Sequence, residues 1–296
     1  MTQETDNRGP GRVSPGLVTF VRHLLDPLVR LLHRPTLDGL DNLPAKGPYL
    51  LVANHSAGMG LSEIGAFYAL YLRHFGRERP LAGFALPVGF RVPPMAALLR
   101  AGGAIPSTYE AAEATLIADT PILMFPGGDY ETTRPLWQAH RVDFGGRLGF
   151  LRIARKTGVP IVPMGIRGSH FTAPILLRSR ALATLLVAPR IIGQKRWALS
   201  VLGLMGAIAL ATLPPLSLPL RALLIWVWLG SPLTFLPWIP WRIRMRIGTP
   251  LQPQELFSGA ADEAQLQQAL KRVEAAVEDL VHIPARETSP GSGSPR

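Results

Sequence analysis

The sequence predicts an α/β protein with a largely parallel central sheet flanked by helices. Short apolar runs alternate with segments of helical periodicity, and turn residues separate them. This alternation is typical of parallel strands joined by helical crossovers. The predicted strands are Tyr49–Ala53, Leu81–Val88, Gly102–Pro106, Pro121–Phe125 and Val159–Met164, and the predicted helices are Ser62–Phe75, Pro93–Leu99, Tyr109–Ala118 and Phe144–Thr157.

The chain before the sheet divides into two parts. Residues 1–16 are polar and predict a disordered tail without a signal peptide. Residues 17–34 carry apolar side chains on one broad face and basic ones on the other, which predicts an amphipathic helix kinked at Pro27. Such a helix either packs on the core or lies at a membrane interface.

Residues 35–256 are predicted to form the α/β domain, with a hydrophobic insertion at about residues 181–241. No charged residue occurs from Trp197 to Leu220 or from Ala222 to Trp241. Each stretch reaches the ~20 residues that a transmembrane helix needs, but prolines interrupt both. We expect a re-entrant or interfacial membrane hairpin rather than two full spans. Its tryptophans suit the headgroup level, and its arginine-rich flanks suit anionic lipid.

The last segments complete the predicted domain. Arginine alternates with isoleucine and methionine over Ile243–Ile247, which predicts a half-exposed edge strand. Residues 260–283 predict an amphipathic C-terminal helix docked on the core. Residues 284–296 are rich in serine, glycine and proline and predict a second disordered tail.

Composition limits the possible functions. The 296 residues contain no cysteine, which excludes disulfides, thiolate catalysis and zinc–thiolate sites. The net charge of +11 indicates an anionic partner, but the basic residues are not interleaved with aromatics, so we expect no nucleic-acid partner. The sequence has no P-loop, no Gly-x-Ser-x-Gly turn and no metal-ligand spacing. We therefore expect no cofactor and no metal.

His55 is the main candidate for a catalytic group. It follows the apolar run Leu50–Ala53 and precedes a loop of small residues. Loops beyond the carboxyl ends of parallel strands are where α/β proteins bind ligands. A catalytic histidine needs an acid that fixes its tautomer, and the first carboxylate downstream is Glu63. Among the other histidines, His23, His33, His74 and His282 suit solvated or capping positions, whereas His140 and His170 could line a groove.

Several ordered motifs resemble the glycerolipid acyltransferase (PlsC-like) family. They are Asn54-His55 after an apolar strand, Phe125-Pro126-Gly127-Gly128, and Val159-Pro160-Ile161-Val162-Pro163. Gly127-Gly128-Asp129-Tyr130-Glu131 and Arg147-x-Gly149-Phe150 resemble motifs of the diacylglycerol acyltransferase type 2 and transmembrane-protein-68-like branch. The resemblance covers about Leu37–Gly168 and resumes near Ile243–Pro250.

The resemblance implies a membrane-associated O-acyltransferase. Such an enzyme moves a fatty acyl group from acyl-CoA or an acyl-carrier protein, as co-substrate, to a hydroxyl of a glycerolipid or lipid alcohol. The family's histidine, here His55, is the general base, and its acid is usually an aspartate five residues later. This chain has Gly60 at that position. Glu63 is therefore expected to serve as the acid.

The resemblance also implies the substrate side of the site. The family's Phe-Pro-Glu-Gly-Thr-Arg segment is altered here, which favours a neutral acceptor over lysophosphatidic acid unless Arg134 or Arg147 replaces the missing arginine. Backbone amides of the loop 56–58 or of Gly127-Gly128 are expected to hold the oxyanion. The expected substrate-binding residues are Asn54, Ser56, Gly58, Gly127, Gly128, Glu131, Arg134 and Arg147.

The expected partners are membrane lipids and the acyl donor, at the cytoplasmic face of a bacterial inner membrane. Gly60 leaves an alternative open. A chain that kept this fold and lost its acid would be a catalytically inactive lipid- or acyl-CoA-binding protein. The loop from Ser56 to Glu63 decides between the two hypotheses.

Overall fold

A computed structural model describes residues 9–212, 216–258 and 262–282 of the chain. The strands are β1 (Thr36–Asp38), β2 (Leu50–Ala53), β3 (Ala82–Ala85), β4 (Ile105–Pro106), β5 (Ile122–Met124), β6 (Ile161–Arg167), β7 (Ile175–Ser179), β8 (Trp197–Ser200) and β9 (Arg244–Ile247). The helices are α1 (Pro15–Phe20), α2 (Asp26–His33), α3 (Ala57–Phe75), α4 (Pro93–Ala101), α5 (Tyr109–Ile117), α6 (Gly128–Thr132), α7 (Gly149–Thr157), α8 (Arg180–Leu185), α9 (Ala188–Ile191), α10 (Val201–Thr212), α11 (Leu218–Gly230), α12 (Pro253–Leu256) and α13 (Glu263–His282).

The predicted α/β class and mostly parallel sheet are confirmed. In the described part of the chain, seven strands form one sheet in the order β1-β9-β6-β2-β5-β3-β4. Neighbouring strands are parallel except β6 and β9, which pair antiparallel. Strands β7 and β8 form a separate antiparallel pair. The carboxyl ends of β2, β5 and β6 therefore meet at one edge of the sheet.

The prediction that Ile243–Ile247 is an edge strand was wrong. Strand β9 lies inside the sheet, because β1 pairs along its outer side with Thr36 opposite Arg244. Met245 and Ile247 are buried, while Arg244 and Arg246 are half-buried. Strand β1 is too short to show a hydrophobic period in the sequence, so its covering role was not visible.

Two hydrophobic layers sandwich the sheet. Side chains of successive strand residues point to opposite faces, so β2 contributes to both layers. Leu50 and Val52 pack in the layer that contains α5, α7 and α13, whereas Leu51 and Ala53 pack in the layer that contains α2 and α3. Helix α13 lies tightly on β6, where a Cβ on Gly165 would come 2.6 Å from Leu280.

The N-terminal segment contacts the domain from an earlier residue than the sequence predicted. Within the described residues of the expected tail, the Gly11 N–H donates to the Gly103 carbonyl at 3.0 Å and the Ser14 N–H to the Ala101 carbonyl at 2.8 Å. The following helix is continuous through a π-helical turn at Val21–Leu25, just before Pro27. A π-turn accommodates a residue that cannot donate a backbone hydrogen bond.

The described residues of the hydrophobic insertion fold as short helices and strands, and the expected membrane hairpin stays a prediction. Helices α10 and α11 pack against each other, and the Trp228 indole donates to the Gly203 carbonyl at 2.9 Å. Among the residues described, we find no helix with both the length and the apolar character needed to cross a membrane. The 3₁₀ turn Pro232–Phe235 then returns the chain to the domain.

Asn54 ties the end of β2 to β6. Its side-chain nitrogen donates to the Ile166 carbonyl at 2.8 Å, and its side-chain oxygen accepts the Ile166 N–H at 2.7 Å. The side chain is buried, so both bonds replace water. The Asn54 side chain thus continues the hydrogen bonding between β2 and β6 beyond the last paired residue of β2. It also fixes the point at which His55 leaves the sheet.

We expect Asn54→Ala to destabilise the protein by about 2–6 kcal/mol, because two buried backbone groups lose their partners at about 1–3 kcal/mol each. Urea denaturation measures the change in the free energy of unfolding. Asn42→Ala is the matched control, since that amide makes one partly buried bond, to the Ile247 carbonyl at 2.8 Å. Equal losses in the two variants would contradict this account of Asn54.

Candidate active site

His55 lies where β2 leaves the sheet and α3 begins. Its imidazole is mostly buried, with 11% of the side chain exposed, and it lines a groove of about 530 Å³. The Phe125 ring stacks on it with ring centroids 4.3 Å apart and an interplanar angle of 21°. Phe125 follows β5, so two neighbouring strand ends position the imidazole.

Glu63 is the acid beside His55. Its carboxylate is fully buried and bonds the His55 Nδ1. The same carboxylate accepts the Ser56 N–H at 2.8 Å and the Ser56 hydroxyl at 2.7 Å. A buried carboxylate is tolerated when donors satisfy its oxygens, and these three bonds do so. Since Glu63 occupies Nδ1, the other ring nitrogen, Nε2, is left to act on a bound molecule.

Gly60 explains the position of the acid. Gly58 and Gly60 interrupt the first turn of α3 with φ values of +67° and +68°. A Cβ on Gly60 would overlap the His55 Cε1 atom. The residue five positions after the histidine therefore faces the imidazole too closely to bear a side chain. Glu63, almost one helical turn later, reaches Nδ1 from the side.

A second buried carboxylate holds the His55 backbone. Glu131 accepts the His55 N–H at 3.1 Å, and Arg134 donates to its other oxygen at 3.3 Å. Arg134 also donates to the Asp143 carbonyl at 3.0 Å. Burial raises the pKa of Glu131, opposed by Arg134 and by the backbone N–H groups of Asp143 and His55. Gly127 makes room for this group, because a Cβ there would overlap the Glu131 side chain.

Arg147 and Asp129 hold the glycine loop from the groove side. Arg147 donates to the carbonyls of Gly127 at 2.8 Å and Pro126 at 3.2 Å, and it forms an ion pair with Asp129. The other Asp129 oxygen accepts the backbone N–H groups of Lys195 and Arg196, each at 3.1 Å. The groove cation Arg147 is thus neutralised by its own loop.

The groove is lined by both apolar and polar side chains. Its polar lining includes the exposed Lys195 and the partly exposed Tyr109. Its apolar lining consists of Met59, Ile64, Phe84, Leu86, Met124, Phe125, Phe150 and Ile153. A groove of this composition accommodates a chain with a polar end.

Residues 34–167 match the family model described as Acyltransferase. The match covers just under half of the chain and includes His55, Glu63 and the Gly127-Gly128 loop. The predicted acyltransferase resemblance is confirmed for this range, which supports an acyltransferase. The more specific branch stays a prediction.

Relatives and one solved structure extend the comparison. Uncharacterized proteins of Mycobacterium tuberculosis and Mycobacterium leprae are each 28% identical over 57% of this chain and 47% of their own, so the chain spans about half the length of these relatives. Phytyl ester synthase 1, chloroplastic, of Arabidopsis thaliana is 30% identical over 47% of this chain and 20% of its own. The crystal structure of the 1-acyl-sn-glycerophosphate acyltransferase PlsC from Thermotoga maritima is 17% identical, with a TM-score of 0.49 over 90% of this chain and 81% of that chain.

The expected site residues divide into two groups in the acyltransferase region. His55, Gly58, Gly128 and Arg147 line the groove. The others lie beneath it and are bonded to the protein itself: Asn54, Ser56, Glu63, Gly127, Glu131 and Arg134. Two of the amides expected to hold an oxyanion are also occupied, because Ser56 N–H donates to Glu63 and Gly128 N–H to the Phe125 carbonyl at 3.1 Å.

Three residues that support the site were not identified as site residues from the sequence. Phe125 stacks on the imidazole, Ser169 shares a hydrogen bond with Ser56, and Asp129 joins the glycine loop to residues 195–196. His170, considered as a groove residue, is buried beside this network instead. Burial lowers its pKa to about 4, so its ring is neutral at pH 7. The sequence could have indicated Phe125, because it begins the Phe125-Pro126-Gly127-Gly128 motif. It contains no comparable indication for Ser169.

Gly60→Ala tests the account of the loop. The variant should lose about 1 kcal/mol for the left-handed backbone and about 1–3 kcal/mol more for the overlap with His55. Gly158→Ala is the matched control, since Gly158 has the same φ of +68° and open space around it. Urea denaturation measures the stabilities, and proton NMR of the His55 Nδ1–H reports the ring. An unchanged His55 signal in Gly60→Ala would contradict the overlap.

Proposed function

We propose that the protein is a membrane-associated O-acyltransferase that moves a fatty acyl group from a thioester donor to a lipid hydroxyl. The observation that carries this proposal is the His55–Glu63 pair, whose imidazole lines the groove while its acid is buried behind it. The Acyltransferase match over residues 34–167 supports the same class of reaction.

His55 acts as the general base in this proposal. Nε2 takes the proton of the acceptor hydroxyl as its oxygen attacks the thioester carbonyl carbon. Glu63 keeps the proton of the neutral ring on Nδ1 and stabilises the imidazolium that forms. The tetrahedral intermediate then expels the thiolate, which receives the proton from Nε2. A new C–O bond replaces the C–S bond, and the imidazole returns to its starting state.

The oxyanion needs amide donors that are not already occupied. Gly58 lies in the first turn of α3, where backbone N–H groups have no acceptor within the helix. It also lines the groove beside His55. We assign this amide to the oxyanion. The helix N-terminus adds a favourable electrostatic potential for negative charge.

Acyl-CoA is the donor that this groove suits. The apolar lining fits a fatty acyl chain, and cations stand near the polar end. Lys195 is exposed at the groove, while the guanidinium carbons of Arg178 and Arg196 lie 4.2 and 4.9 Å from the Tyr130 ring centroid. Guanidinium and ammonium groups bind phosphates well, so this cluster is suited to the phosphates of coenzyme A.

The acceptor is proposed to be a neutral lipid alcohol. Arg134 is buried in its pair with Glu131, and Arg147 is held by Asp129 and two carbonyls. Both candidates for binding an acceptor phosphate are therefore engaged by the protein itself. The relative named phytyl ester synthase is consistent with ester formation.

The position of Glu63 favours the catalytic proposal over the inactive lipid-binding alternative. That alternative depended on glycine replacing the family's acid at position 60. Glu63 bonds Nδ1 of the histidine, so the acid is present at a different position in the chain.

The catalytic proposal is tested with His55→Ala and Glu63→Gln. Each should lower the rate of transfer from an acyl-CoA to a lipid alcohol by about 10²- to 10⁴-fold, because proton transfer loses its base or the base loses its orientation. His74→Ala is the control, since His74 is exposed at the end of α3. Thioester cleavage and ester formation are followed together, and circular dichroism verifies folding. Full activity in folded His55→Ala would refute the mechanism.

The same assay compares a long-chain alcohol, diacylglycerol and lysophosphatidate as acceptors. We expect the neutral acceptors to react and lysophosphatidate to react poorly, because Arg134 and Arg147, the two arginines considered for an acceptor phosphate, are both engaged by the protein itself. A clear preference for lysophosphatidate would reject the neutral-acceptor proposal and leave the role of His55 unaffected.

The membrane contact is proposed to involve α10 and α11. Their outward side chains are apolar over a broad surface, and exposed patches of this kind mark membrane or protein contacts. Exposed tryptophans suit the interface between lipid and water. The exposed apolar side chains of α10 and α11 include Leu204, Met205, Ile208, Leu218, Leu220, Leu223, Trp226 and Val227, and those of the segment after α11 include Leu233, Leu236, Trp238 and Trp241.

Leu223→Glu tests this surface on phosphatidylcholine vesicles. Burying a leucine contributes about 1.5–3 kcal/mol, so we expect vesicle affinity to fall at least about tenfold. Ile117→Glu carries the same charge change at a more exposed position on α5, 82% against 54%, and should leave binding unchanged. Vesicle flotation measures both. Equal losses, or none, would contradict the assignment to α10 and α11.

A further inference from the structure

A second cleft lies at the same sheet edge as His55 but outside the reactive groove. It encloses about 420 Å³ and is lined by His140, Arg167, Gly168, Phe171, Trp241, Arg242 and Arg244. Arg167 ends β6 and pairs with Arg244 at the start of β9. The next residues along the chain, Gly168 and Ser169, lead to the Ser56 hydroxyl.

Three arginines line the cleft, and no acidic residue is among the described residues that line it. Within the described part of the chain, no ion pair within 4.0 Å neutralises Arg167, Arg242 or Arg244. Arg167 is oriented by one bond, from Nη1 to the Val281 carbonyl at 3.1 Å. A cleft lined by several positive residues and no acid has a positive potential that favours an anion.

Aromatic rings form the other wall. Phe171 lies between Trp241, with centroids 4.7 Å apart, and His140, with centroids 5.6 Å apart. The His140 backbone is held at φ +72°, an uncommon conformation for a residue other than glycine. A rigid ring wall facing guanidinium groups is suited to a phosphate attached to an organic group, more than to a small hydrated anion.

The surroundings of the cleft are apolar and exposed. Trp241 is 47% exposed and Leu31 of α2 is 75% exposed. These two side chains, with Leu32, Arg34, Pro240 and Arg242, line an adjoining cleft of about 280 Å³. A phosphate site bordered by exposed tryptophan and leucine resembles the boundary between lipid headgroups and acyl chains.

We propose that the arginine cleft binds a phosphate group, and that this phosphate belongs to an anionic phospholipid. The bound lipid is distinct from the acyl acceptor in this proposal, because the cleft and the His55 groove have no lining residue in common. The assignment of the phosphate to a lipid rests on the proposed membrane contact. The assignment of a phosphate to the cleft does not. Binding here would orient the groove toward the bilayer.

The test compares vesicles of pure phosphatidylcholine with vesicles made from an equimolar mixture of phosphatidylcholine and phosphatidylglycerol. The wild type should bind the anionic vesicles at least about tenfold more tightly, and Arg242→Gln/Arg244→Gln should lose most of that gain. Arg91→Gln/Arg100→Gln removes the same charge at exposed positions outside the cleft and should stay within about twofold of wild type. Flotation is measured at physiological salt, and no acyl transfer is needed.

A second arm titrates the proteins with inorganic phosphate by calorimetry. Tight phosphate binding without a gain on anionic vesicles would overturn the lipid source. The site itself would be overturned if the wild type showed neither a gain on anionic vesicles nor binding of inorganic phosphate. Equal losses of vesicle affinity in the two double variants would also overturn it. Arg242→Gln alone, at an exposed position, should show part of the loss and provides the test if the double variant does not fold.

Discussion

The buried Glu63 carboxylate is the interaction on which the site depends. It bonds the His55 ring, the Ser56 amide and the Ser56 hydroxyl at once. An ionised group removed from water is costly unless donors surround it, so the loop after β2 has to bring these donors to it. Its geometry fixes the tautomer of the imidazole, and the groove, the glycine loop and α3 are arranged around that ring.

Four glycines in this site each pack against a larger side chain that needs the space a Cβ would fill. Each glycine occupies a place where a Cβ would overlap a functional or supporting side chain: Gly58 faces Phe235, Gly60 faces His55, Gly127 faces Glu131 and Gly128 faces Arg147. Glu63 and Glu131 belong to one packed arrangement, in which two buried acidic side chains hold the ring and the backbone of the same histidine.

Part of this arrangement was predictable from local sequence. Strands β2, β5 and β6 are apolar runs bounded by turn residues, and Glu63 is the first carboxylate after His55, so both could be inferred. The pairing of β9 inside the sheet could not, because it depends on the three-residue strand β1. Nor could Ser169, which reaches Ser56 across 113 positions of sequence, or the Asp129 bonds across 66 and 67 positions. Hydrophobic period indicates which face is buried, but not which distant partner completes a hydrogen bond.

The contact between Phe235 and Gly58 has a consequence for how the protein can be divided. Phe235 belongs to the 3₁₀ turn that follows α11, and its ring fills the space over the loop that carries His55. The apolar insertion is therefore not a detachable module. Exchanging it for an unrelated segment would leave a hole beside Gly58 unless an aromatic ring returned to that place. A side chain at position 58 would not fill the hole easily, because the backbone φ of +67° there disfavours one.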